Sequence, residues 1–218
     1  LPRYYGLYLR DKKSPVGTTY NSPEIHFREE KAGNSMMNTA LMLIDIQNDY
    51  FPGGSMELDG SIEASLNAKK ALSFFREKNL PIVHIQHFSV RPGSTFFLPN
   101  TDGVNIHPNV IPLADESVIE KNYPNSFRNT PLSDVLSKKQ INHLVIAGMM
   151  THMCVDATTR AAFDYGFQCT LLHDACATRT LVFEDKTIPA QHVHYAFLSA
   201  LNGVYAKVTR TDAFLKGV

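Results

Sequence analysis

Three cysteines occur in this 218-residue chain, and one of them, Cys154, stands where a thiol could do chemistry. It follows the apolar run Leu144-Val145-Ile146-Ala147 and the turn Gly148-Met149-Met150-Thr151-His152-Met153, and it opens a stretch read as helix. The N–H groups and dipole at a helix N-terminus favour a thiolate. Asp45 ends a second apolar run and Lys121 follows a third. A carboxylate beside a thiol can take its proton and hand it on to a leaving group, while an ammonium holds the negative charge in balance. Turn N–H groups between Gly148 and Cys154 could hold a developing oxyanion, an effect worth roughly 3–4 kcal/mol per donor. These residue types point to acyl transfer through a thioester. Cys169, within a strand-like run, and Cys176 read as packing residues.

The elements that must bring these groups together follow from periodicity. Apolar runs over 40–45, 81–87, 117–120, 143–147, 168–173 and 203–209 read as buried strands. Helical spacing or helix boundary signals mark 61–78, 131–138, 154–165 and 189–200 between them. Such alternation predicts an α/β chain with a six-stranded parallel sheet flanked by helices on both faces, a Rossmann-like three-layer sandwich. Ligands bind beyond the carboxyl ends of strands in such sheets, where Asp45, His87, Lys121 and the turn to Cys154 all fall. The stretch 88–116, rich in Pro and Gly, is too long for a plain connection and reads as a lid, a pocket wall or an oligomer contact. Residues 1–36 read as a polar extension, leaving 37–218 as the domain.

Twenty-one basic residues balance twenty-one acidic ones, which gives no electrostatic footprint for nucleic acid or an anionic membrane. No apolar run reaches the roughly 20 residues that span a bilayer. The sparse, odd cysteine count and the lack of a signal-like segment suggest a cytoplasmic protein.

The motif Leu43-Ile44-Asp45-Ile46-Gln47-Asn48-Asp49-Tyr50-Phe51 with Gly53-Gly54, and the motif Ala147 to Val155 with Thr158, Ala161 and Gly166, resemble those of the isochorismatase-like cysteine hydrolases. Lys121, followed by Tyr123, Ser126 and Phe127, resembles the family's middle motif. The resemblance covers about residues 37–210 and is nearest to the streptothricin-hydrolase-like members. It implies a catalytic triad of Asp45, Lys121 and Cys154. It also implies a cis peptide between Met149 and Met150, and an oxyanion hole from the N–H groups of Met150 and Cys154. A homo-oligomer, dimer or tetramer, is implied as well. Where nicotinamidases carry Asp-x-His, this chain has His87-Phe88-Ser89, so neither a metal nor another cofactor is expected. Tyr50, His87, Tyr123 and Phe127 neighbour the motif residues and are expected to wall a pocket for a small amide, ureido or ester substrate.

Three other readings fit parts of the pattern. Cys154 to Arg160 has the Cys-x5-Arg spacing of a phosphatase but lacks glycine in its loop. His84 with His87, or His192 with His194, could bind zinc, though no His-Glu-x-x-His is present. A non-catalytic or redox-sensitive binding protein would keep Cys154 as a packed thiol.

Overall fold

The computed structural model describes residues 38–217, so the extension expected over 1–36 lies outside the described residues. Six parallel strands form the sheet: β1 (Thr39–Ile44), β2 (Ile82–His87), β3 (Ser117–Lys121), β4 (His143–Met149), β5 (Gln168–Ala177) and, last in the chain, β8 (Lys207–Thr209). Their spatial order is β3-β2-β1-β4-β5-β8. A separate antiparallel hairpin joins β6 (Leu181–Phe183) to β7 (Lys186–Ile188).

Side chains alternate across β1 and so define the two faces of the sheet. Leu41 and Leu43 enter one apolar cluster with Ala68, Leu72 and Phe75 of α1 (Ser61–Glu77), against which Phe214 of α5 (Thr211–Lys216) also packs. Ala40, Met42 and Ile44 enter the other. That cluster holds Leu132 and Leu136 of α2 (Leu132–Lys138), Ala162 of α3 (Asp156–Asp164), and Leu198 and Leu201 of α4 (Ala190–Leu201). Helices therefore cover both faces, as the alternation of elements predicts.

Several boundaries differ from expectation. The last strand begins at Lys207 rather than 203, because Gly203 adopts φ 86° and the N–H groups of Tyr205 and Ala206 turn back to the Leu201 carbonyl. The helix expected from Cys154 starts at Asp156, after a wide π-helical turn, Thr151–Val155. β5 runs on to Ala177, with a register shift opposite Ile146 and Gly148 of β4. Gly148 sits at φ 141°, and a Cβ there would overlap the Ile44 carbonyl, so β4 can press against the end of β1 only with glycine at this point.

The long 88–116 segment is stapled down rather than loose. The Phe97 N–H donates to the buried Asp49 carboxylate, and the backbones of Gln47 and Ile106 form an isolated bridge. At the segment's end Glu116 accepts from Arg76 (2.7 and 2.8 Å) and from the Leu113 N–H (2.9 Å), and it contacts His84 Nε2 at 2.8 Å. Burial raises the Glu116 carboxyl, but these donors outweigh it and hold the group down at about 2. A depressed carboxyl contributes stability above its ordinary value of 4.5 and loses it as pH falls through about 2. Glu116→Gln is therefore expected to destabilise the fold by about 1–3 kcal/mol at neutral pH. In urea titrations the gap to the parent should hold down to pH 5 and shrink below pH 4.5. A gap independent of pH would refute this account of Glu116.

Candidate active site

β1 stops at Ile44 because the chain turns at Asp45, whose φ of 51° is left-handed and uncommon outside glycine. The Asp45 N–H still donates to the Ile85 carbonyl at 3.0 Å, which anchors the turn to β2. Its side chain is fully buried. β3 is the edge strand beyond β2, and its alternation buries Ile119 and Lys121. The last residue of β2, His87, lies between Lys121 and Asp45.

Lys121 is buried yet has three acceptors close to its ammonium. Its Nζ lies 2.7 Å from Asp45 Oδ2, 2.9 Å from His87 Nδ1 and 3.1 Å from the Tyr123 carbonyl. Cys154, the fourth residue of the π-helical turn, brings its Sγ to 4.0 Å from His87 Nδ1. The turn is pinned from outside. Thr151 Oγ1 donates to the Ala177 carbonyl (3.2 Å) and pairs with His194 Nδ1 (2.9 Å), while His152 pairs with Thr178. The Met149–Met150 peptide is cis, and the Met150 carbonyl accepts from the N–H groups of Met153 and Val155.

The electrostatics differ from a standing thiolate. Burial raises the Cys154 thiol, the Asp45 charge raises it further, and Lys121 only partly opposes them. Burial would also raise Asp45, but the Lys121 charge prevails and its carboxyl lies below the usual range. Burial works against charge on Lys121 as well, yet Asp45 and Cys154 keep it above its ordinary value. The resting site is thus an ionised Asp45–Lys121 pair beside a neutral thiol. Against the expectation that Cys154 opens the helix, it lies inside a π-helical turn ahead of α3, with its thiol buried next to a carboxylate. Both Asp45 carboxylate oxygens are buried without a formed hydrogen bond, Oδ2 being ion-paired to Lys121, and the carboxylate interacts with the thiol. It is the natural acceptor for the thiol proton.

Asp45, His87 and Cys154 are the one set of three His, Cys, Asp or Glu residues among the described ones whose ligand atoms converge, within 4.8 Å of one another. The Lys121 ammonium contacts both Asp45 Oδ2 and His87 Nδ1 and so already fills the cation position of this set. Of the other histidines considered for zinc, His84 pairs with Glu116 and His194 with Thr151.

The expected pocket residues divide. His87 is in the site. Tyr50 is buried against Phe97, with ring centroids 4.5 Å apart. Burial pushes its hydroxyl well up, and the Asp45 charge acts the same way. Tyr123 contributes its carbonyl to Lys121, while its ring lies under the Arg128 guanidinium at 3.8 Å. Phe127 is instead turned into the core against Tyr165 (5.0 Å) and Phe167 (6.0 Å). The Asn125 side chain accepts from the Phe127 N–H, and Ser126 is tied to Thr158, which rotates Phe127 inward.

Sequence reading missed Gln47 and Arg179. The charge of Arg179 is felt by both Tyr50 and His152, and it forms no ion pair among the described residues. Gln47, fully buried straight after a strand, carried a usable signal: an amide in such a place must have partners.

Residues 39–213 match the Isochorismatase domain. An uncharacterized isochorismatase family protein, YddQ of Bacillus subtilis (strain 168), is 54% identical over 180 residues, which span 83% of this chain and all of the relative. The crystal structure of a putative isochorismatase hydrolase from Oleispira antarctica has 46% identity and a TM-score of 0.81, covering 85% of this chain and 100% of its own. A streptothricin hydrolase of Streptomyces noursei is more distant, at 32% identity over 139 residues, 64% of this chain and 54% of that protein.

Proposed function

The chain belongs to the isochorismatase family of hydrolases, and we propose that it cleaves a small amide or ureido substrate through a thioester on Cys154. The observation that carries this reading is the convergence of a buried thiol, a buried ionised carboxylate and a buried ammonium at the carboxyl ends of parallel strands. Because the thiol rests neutral, its proton passes to Asp45 as the sulfur attacks the acyl carbon. The N–H groups of Met150 and Cys154 hold the oxyanion. Asp45 returns the proton to the departing nitrogen, and water then releases the acid and restores the thiol. An amine must leave protonated, so a carboxylate that accepts and then donates suits C–N cleavage better than ester cleavage. Lys121 keeps Asp45 ionised in the resting site, ready to accept the thiol proton.

The buried Tyr50 and the partly exposed His87 lie by this centre, and the charge of Arg179, which forms no ion pair among the described residues, acts on Tyr50. They favour a substrate with a carboxylate or another acceptor near the scissile bond. Intact-mass measurement after brief exposure to small amides, ureides and esters, each with and without a carboxylate, tests the reading. Acyl adducts on Cys154 are expected, strongest for carboxylate-bearing amides and ureides. Turnover of any panel member in a Cys154-blocked protein would overturn it.

A further inference from the structure

β1 and β2 pair as far as Ile44 and Ile85, after which β1 turns away at Asp45 while β2 continues to His87. On its other side β2 stays paired, His87 opposite Lys121, and the next N–H, that of Phe88, donates to the Lys121 carbonyl. In a parallel strand both backbone groups of a residue face the same neighbour. The N–H and C=O of His87 therefore face the side that β1 has vacated.

Gln47 fills that place. Its Oε1 accepts from the His87 N–H at 2.7 Å, and its Nε2 donates to the His87 carbonyl at 3.0 Å. A single primary amide thus replaces a strand partner for both groups. The same Nε2 donates to the Val104 carbonyl at 2.7 Å, which also receives Gln86 Nε2 at 2.9 Å. Both donors and the acceptor of a fully buried amide are used, which locks the end of β2 to the 102–104 turn.

The ring of His87 is then constrained at one nitrogen only. An ammonium donates and does not accept, so Nδ1, 2.9 Å from Lys121 Nζ, accepts and the ring proton sits on Nε2. Nε2 has no protein partner among the described residues and is not sealed, in a side chain 15% exposed.

We propose that Gln47 is a positioning residue that acts through His87. By standing in for the missing strand it fixes the ring in one tautomer, with Nδ1 on Lys121 and Nε2–H left open as a donor to an acceptor on the substrate. The substrate contact rests on the function proposed above; the tautomer does not.

Long-range proton–nitrogen NMR of the histidine rings, at pH 8 on the whole chain, separates the two. The parent protein is expected to show His87 as the Nε2–H form alone. Gln47→Met keeps the side chain's bulk but removes all three hydrogen bonds. It should raise the Nδ1–H form from below about 10% to above about 30% while circular dichroism stays unchanged. Lys121→Met should do the same from the other end. A folded Gln47→Met protein with an unchanged single tautomer would overturn the proposal. So would a parent protein that already shows Nδ1–H, a result that needs no variant to fold. Loss of the hydrolase reading, by contrast, would leave these spectra as they are.

Discussion

Cys154→Ala will lower kcat by at least about 10⁴-fold on any substrate that forms the Cys154 adduct, because no other group in the site can carry the acyl intermediate. The two remaining cysteines are buried and Cys176 donates to the Leu172 carbonyl, so neither can take over. The fold should tolerate the change. Cys154 is 4% exposed but small, and its removal deletes one sulfur from the edge of a large apolar cluster. Such a deletion costs about 1 kcal/mol, well within the stability of a domain of this size. The check is steady-state turnover together with a urea midpoint. Residual activity within tenfold of the parent, in protein with an unchanged midpoint, would show that Cys154 is a packing thiol. Asp45 and Lys121 would then need another employment.

How much of this was legible before the structure depends on what each residue's environment contains. The central strands announce themselves because a strand buried on both faces is apolar through most of its length, as in Thr39–Ile44 and His143–Met149, whereas the edge strand β3 shows only a short Val118-Ile119 run. The β6–β7 hairpin gave no such signal, since Val182 and Phe183 are 69% and 70% exposed and its strands bury almost nothing. The run after Gly203 is apolar enough to read as strand, yet it closes α4, because a chain reversal at positive φ leaves no trace in hydropathy. Asp45, Lys121 and Cys154 were readable as strand-end groups and as a resemblance. Their ionisation was not, since it depends on how completely three side chains shed water around one another. Phe127 shows the limit of arguing from neighbours in sequence: the Asn125 and Ser126 hydrogen bonds turn it into the core, although it lies close to Lys121 along the chain. Gln47 depends on strand order, because only when β1 ends before β2 does His87 need an amide in place of a strand.

The ion pair beneath the thiol makes the second large prediction, one about stability as much as rate. Asp45 and Lys121 are both fully buried, and each keeps its charge only because the other is 2.7 Å away. Asp45→Asn leaves an ammonium without its anion, and Lys121→Met leaves a carboxylate without its cation. Either single change is expected to cost about 3–5 kcal/mol and at least about 10³-fold in kcat. The double variant replaces both charges with neutral groups, so about 2–4 kcal/mol of that loss should return as a coupling term, with activity still absent. The pH dependence distinguishes the two singles by sign. In the parent the Asp45 carboxyl lies below its ordinary value, so its contribution is present above the ordinary carboxylate range and lost as pH falls. In Lys121→Met the main charge opposing burial is gone and the carboxyl rises, so that variant should gain stability relative to the parent as pH falls from 7 toward 4. Urea midpoints of the four proteins at pH 7 and pH 4 close the cycle. Strictly additive losses, or a Lys121→Met deficit that does not narrow in acid, would mean that the pair is not the electrostatic unit on which proton transfer from Cys154 depends.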